Sequence, residues 1–111
     1  MTFIAMNRFK VRPGHESAFE GVWSSRDSRL KELPGFLEFR LLKGPQAEDH
    51  RLYASHTLWA SKADFEAWTE SEQFRDAHRN TGNSTTREAI MAHPQVETFE
   101  TVLFEPALAE A

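Results

Sequence analysis

Residues 59–79, WASKADFEAWTESEQFRDAHR, decide how the rest of the chain is read. The stretch has the pattern of a strand end followed by two short helices. Ser61 is a good N-cap, with Asp64 three residues on in a capping-box arrangement. Phe65 and Trp68, three apart, share one face of the first helix. Ser71 restarts a helix, and Glu72 in its first turn suits the positive end of the macrodipole. Phe74, Ala77 and His78 fall at i, i+3 and i+4 and line one stripe, while Arg75, Asp76 and Arg79 point away. The inward face is therefore an apolar wall with one imidazole in it. Such a histidine is either held in a core by a hydrogen bond or is a ligand to a metal or a heme iron. Trp68, taken alone, is core filler.

Upstream, residues 2–11 alternate. Phe3, Ala5, Asn7, Phe9 and Val11 take one face, and Ile4, Met6, Arg8 and Lys10 the other. Asn7 interrupts an apolar face. It is either a satisfied structural amide or a donor aimed into a pocket, because an unpartnered buried amide costs roughly 1–3 kcal/mol. Ile4 and Met6 make the opposite face apolar too, which predicts a partner subunit over the sheet. Pro13-Gly14 forms a turn. Phe19, Val22, Trp23, Arg26 and Leu30 predict a helix over residues 15–31. Arg26 either snorkels from its apolar stripe or reaches an anionic group at a pocket mouth. Leu33-Pro34-Gly35 ends that helix.

Residues 36–43 and 51–59 form a strand pair around the polar loop at 44–49. The even face of the second carries Leu52, Ala54, His56 and Leu58, with His56 read as structural. Residues 80–92 lack a period and are expected as a mobile loop or short lid. A last strand follows at about 96–104, and the tail after Pro106 is expected to fray. The order βαββαβ predicts a ferredoxin-like α+β domain over residues 1–106, with 107–111 as tail.

Composition narrows the function classes. A chain of 111 residues holds one core. A net charge of −4 without a basic run argues against nucleic acid as partner. The absence of cysteine excludes disulfides, thiolate ligands and a Cys nucleophile, and suits the cytoplasm. No apolar run approaches the ~20 residues that cross a bilayer, so no membrane partner is expected. The N-terminus lacks the apolar segment of a signal peptide. There is no phosphate-binding Gly loop or nucleophile elbow, and His50 and His56 are poorly spaced to share a metal. What remains is a pocket between helices and sheet, with Asn7, Trp68, His78 and Arg26 as candidates.

The order of Asn7 in MNRF, TLWASKADFEAW with Trp68, and FRDAHR with His78 resembles the IsdG-type heme-degrading monooxygenases. These belong to the dimeric α+β barrel superfamily that also holds the antibiotic-biosynthesis monooxygenases. The resemblance runs to about Phe104. It implies a homodimer that binds heme as both substrate and cofactor, uses O2 and an external electron donor, and releases iron and a bilin-type product. It implies His78 as the proximal iron ligand, Trp68 as the residue that presses the porphyrin out of plane, and Asn7 as a distal hydrogen-bond donor. It further implies Phe74 against the cofactor and Arg26 on a propionate. A cofactor-free monooxygenase acting on an aromatic substrate, and a non-enzymatic heme-binding protein, stand as alternatives.

Overall fold

The computed structural model describes residues 1–25, 29–79, 84–91 and 94–108, with side chains except at 76–79 and 84–86. Four strands and four helices alternate: β1 (Phe3–Val11), α1 (Glu16–Ser25), β2 (Phe36–Gln46), β3 (Arg51–Trp59), α2 (Lys62–Thr69), α3 (Glu72–Arg79), α4 (Ser84–Ala89) and β4 (Gln95–Glu100), with a 3-10 turn at Leu30–Glu32. The strands form one antiparallel sheet in the order β2-β3-β1-β4. This is the expected ferredoxin-like arrangement.

Period-two alternation separates the two sheet faces. Phe3, Ala5, Phe9 and Val11 of β1, and Tyr53, Ser55, Thr57 and Trp59 of β3, are buried beneath the helices. The opposite face carries Ile4, Met6, Leu58, Leu42 and Phe99, the last two 40% and 46% exposed. His56 lies on that open face, with Met6 and Arg40 as its cross-strand neighbours. Its Nδ1 is buried and finds no hydrogen-bond partner among the described residues. The sequence reading made His56 structural, and its place among the cross-strand side chains of this face does not depend on a hydrogen bond at Nδ1.

The covered face holds two separate cores. One gathers Phe9, Val11, Phe19, Tyr53 and Ala89, with Trp23, Leu41 and Ile90 against it. The other gathers Phe3, Leu30 and Trp59, with Leu33, Phe36, Phe39, Phe65 and Trp68. α1 packs with α4 over the first, and α2 sits on β1 and β3 at the second.

Three expectations need correction. The helix expected over 15–31 does not run to its expected end: α1 is described over Glu16–Ser25, and the chain from Arg29 to Glu32 is not α-helical. Ser24 and Ser25 turn their hydroxyls back onto the carbonyls of Gly21 and Val22. Arg29 then takes a left-handed conformation, φ 57°, and Leu30 reaches the other core from a 3-10 turn. Arg26 lies outside the described residues. The segment at 80–92 is not a loop throughout, because it contains α4. Ala89 is fully buried, the Arg12 N–H donates to its carbonyl at 2.7 Å, and the Met91 N–H donates to that of Lys10 at 2.9 Å. Residues 80–83 and 92–93 lie outside the described residues. Finally, β4 ends at Glu100 rather than near 104; beyond it Thr101 still donates its N–H to the Thr2 carbonyl at 2.9 Å, and no further pairing follows among the described residues. Val102, Leu103 and Phe104 are 77–83% exposed beyond it.

Candidate functional site

The two expected helices of 59–79 are built as their sequence suggests. Ser61 Oγ accepts from the Asp64 N–H at 3.1 Å and donates to Asp64 Oδ2 at 2.9 Å, so the pair closes through the hydroxyl. Ser71 serves both helices. Its hydroxyl donates to the Trp68 carbonyl at 2.6 Å and accepts from the Phe74 N–H at 3.1 Å. One side chain thus ends α2 and starts α3, which fixes the angle between the helix bearing Trp68 and the helix bearing His78. Gly35 supports this corner. Its carbonyl accepts from the Ala60 N–H at 2.7 Å, its φ is +81°, and an added Cβ would lie on the Asp64 carboxylate.

Trp68 is half-buried in a cluster of aromatics. Phe74 meets it edge-on at 4.8 Å and 87°, Trp59 lies at 5.6 Å, and Phe65 at 6.0 Å. Phe74 therefore braces Trp68 as part of the expected wall. His78 falls in the last turn of α3, and its side chain lies outside the described residues, as does that of Ala77.

Asn7 sits on the covered face of β1 and is half-buried. Its row across the sheet is Leu41, Ser55, Asn7, Val96; the next is Phe39, Thr57, Ala5, Thr98. These rows run between the two cores, and on β3, β1 and β4 they carry small, hydroxylic or amide side chains. Ser55 and Thr57 are 3% and 8% exposed, whereas Val96, at the far end of the row from Leu41, is 67% exposed on the same face. The rows form a floor that is closed at β3 and open at β4. Among the described residues the side chains of Asn7, Ser55 and Thr57 have no hydrogen-bond partner. Unpartnered polar atoms on the floor between two apolar walls suit a flat, largely apolar ligand that carries a polar reactive centre. Heme fits that description. The sequence reading missed Ser55 and Thr57 because it followed the even face of β3. The signal was in RLYASHTLW all along: two hydroxyls between two aromatics on the odd face.

A cavity of about 330 Å³ opens beside this floor, between α1 and the edge strand β2. Glu20, Trp23, Ser24, Phe39, Leu41, Lys43 and Tyr53 line it, and neither Asn7 nor Trp68 does. It meets the floor at Phe39 and Leu41. The geometry assigns it to the flank of the site rather than its centre, because the unpartnered floor groups lie elsewhere. Inside it the buried Tyr53 hydroxyl donates to Glu20, and Lys43 Nζ stands 3.2 Å from the same carboxylate. Those two contacts hold the Glu20 carboxyl below the usual glutamate range. Burial first, and then the bond to Glu20, push the Tyr53 phenol far up. Among the described residues no cluster of three metal-ligating side chains is present, and no helix is long and apolar enough to cross a membrane.

The family model described as antibiotic biosynthesis monooxygenase matches residues 2–80. A heme-degrading monooxygenase of Shouchella clausii is 31% identical over 83 residues, 75% of each chain. A staphylobilin-producing heme oxygenase of Staphylococcus haemolyticus is 25% identical over 94 residues, covering 85% of this chain and 89% of its own. Among solved structures, the heme-degrader MhuD of Mycobacterium tuberculosis, with two hemes bound in its active site, superimposes with a TM-score of 0.67 at 25% identity, over 94% of this chain and 99% of that one.

Proposed function

The chain belongs to the antibiotic biosynthesis monooxygenase family, and from that membership we propose that it is a heme-degrading monooxygenase, working as a homodimer with one heme pocket in each subunit. Relatives named for heme degradation support the substrate. The observation that carries the reading is the polar floor between two apolar cores, roofed on one side by the helix pair that bears Trp68 and His78. A bound heme would supply both the iron that activates O2 and the meso carbon that is oxidised, with electrons from an external reductase or chemical reductant.

The chain's own residues then divide the task. His78 would hold the iron, since a neutral imidazole can supply a nitrogen ligand to a heme. Trp68, braced by Phe74, presses on the ring from the wall. Asn7 donates a hydrogen bond from the floor, and its amide does not titrate near neutral pH. Arg26 meets a propionate. The domain spans residues 1–106, and 107–111 lie outside it. The apolar open face of the sheet, with Leu42 and Phe99 exposed, is the surface the second subunit covers. The setting is cytoplasmic, and the released iron serves iron acquisition.

Hemin titration tests the reading. The Soret band should shift and saturate at one heme per chain. Reductant added in air with catalase present should then bleach it, releasing iron and an open-chain chromophore. His78→Ala should lose the five-coordinate ferric spectrum or the activity; a variant that kept both would remove His78 from the iron. A Soret band stable to reductant would make the protein a heme carrier. No shift at all would leave a cofactor-free monooxygenase acting on an aromatic substrate.

A further inference from the structure

The roles assigned so far leave the floor hydroxyls without a task, and Ser55 is the one that stands beside Asn7. Ser55 is the Cα partner of Asn7 across the β1–β3 pair, so both side chains rise from the same face. Directly opposed residues hold their Cβ atoms about 4.5–5.5 Å apart. Ser55 is 3% exposed, and no side-chain hydrogen bond to it exists among the described residues. Its Oγ is not among the sealed, unpartnered polar atoms of the described residues, so the hydroxyl keeps accessible surface and can bond a small ligand that arrives at the floor. Asn7 is in the same condition, while Leu41 and Val96, at the ends of their shared row, are apolar. The two polar groups are therefore adjacent, central, and bounded on both sides by carbon.

We propose that Ser55 is a second hydrogen-bond donor of the floor, acting beside Asn7 on the small polar ligand that occupies the heme face turned toward the sheet. The inference rests on the heme reading. A planar amide and a rotatable hydroxyl, side by side, can both reach the terminal atom of a bent ligand, which has more than one lone pair to offer. Asn7 alone satisfies one of them. The pair also fixes direction, because a ligand bonded to both leans along the row from β1 toward β3. Ser55 is thereby a specificity residue for which way the reactive end of the ligand points over the ring.

Azide is the probe, bound to the ferric heme complex of the full chain and followed in the visible spectrum. Ser55→Ala should take up heme with the wild-type stoichiometry and bind azide about tenfold more weakly, as expected for one lost hydrogen bond. Ser55→Thr keeps the hydroxyl and should restore affinity to within about threefold, which a packing role for Ser55 does not predict. An azide affinity in Ser55→Ala within about twofold of wild type overturns the inference, with the heme reading intact. Loss of heme uptake by Ser55→Ala, with an unchanged circular dichroism spectrum, also overturns it, since the hydroxyl would then shape the pocket. Failure of the wild-type chain to shift the Soret band overturns the heme reading itself, and this inference falls with it.

Discussion

Replacing Trp68 by phenylalanine separates its two possible duties. As a packed residue, Trp68 touches Phe74 at 4.8 Å, Trp59 at 5.6 Å and Phe65 at 6.0 Å. Each aromatic pair contributes ~0.5–1.5 kcal/mol beyond burial, and phenylalanine keeps a ring near all three, so about half of that sum is at risk, ~1–2 kcal/mol. The smaller ring also buries less, but Trp68 is only half-buried, which adds ~0.5 kcal/mol at 25 cal/mol per Å². The total is ~2 kcal/mol, well inside the ~5–15 kcal/mol by which such domains are stable. With a urea slope of ~1–3 kcal/mol per M, the unfolding midpoint should fall by ~1 M while m stays constant. The variant is then folded under assay conditions and should still take up heme. Turnover or product should nevertheless change, because in the proposed role the larger indole is what presses the ring, and phenylalanine reaches less far. Urea melts and single-turnover spectra on one preparation decide between the duties. A midpoint shift of this size with unaltered turnover, product and heme geometry would refute the wall role. A loss beyond ~4 kcal/mol would mean that Trp68 is a core residue after all.

Asn7→Ala should leave the Soret titration unchanged and slow turnover by about tenfold, one hydrogen bond's worth; turnover at the wild-type rate would make Asn7 structural. Gly35→Ala should lower stability by ~2–3 kcal/mol in a thermal melt, from a left-handed φ and a disrupted Ser61–Asp64 cap. A change of only a few tenths would show that the α2 corner moves freely. The Glu20 carboxyl is depressed by its bond from Tyr53 and by Lys43, so the stability it adds is present above its ordinary value of 4.5 and is lost as pH falls through its lower folded value. Glu20→Gln should therefore flatten the fall in urea midpoint on the acid side of pH 4.5; an unchanged acid limb would assign that fall to other carboxylates. Tyr53 acts in the opposite sense. Its raised phenol favours the fold below its ordinary 10.0, and stability should decline as pH climbs beyond that point.

How much of this was legible beforehand followed from how local the cause was. The caps at Ser61 and Ser71 are written within three residues of what they cap, and the α2–α3 pair came out as read. β3 likewise matched the residues 51–59 that its alternation predicted. The errors arose where distant partners decide. Helical spacing through Leu30 looked continuous, yet Leu30 is buried by Trp59 and Phe3 rather than by a longer α1. α4 has no apolar period to detect, because its sequence STTREA offers only Ala89 as an apolar residue, and Ala89 enters the core beside Val11. The apolar run at 102–104 resembled a strand, but a strand needs a neighbour, and pairing with the N-terminal segment goes no further than Thr2–Thr101. For the site, Asn7 stood out as a polar intruder on an apolar face. Ser55 did not, since a serine in a strand becomes informative only when the register puts it opposite Asn7.

The division of the covered face into two cores has a mechanical consequence. Each core grips its own helices to the sheet, and the Trp23 ring stacked on Phe39 at 5.6 Å ties the two clusters together at the β2 side. The line of thinnest side-chain packing between the helices therefore runs over the floor rows, from that stack to the open edge at β4. Strain across the domain should relax by spreading along that line, as a book opens along its spine, with the packed clusters on either side as stiff boards. Guests of different thickness can then be gripped without unfolding either board.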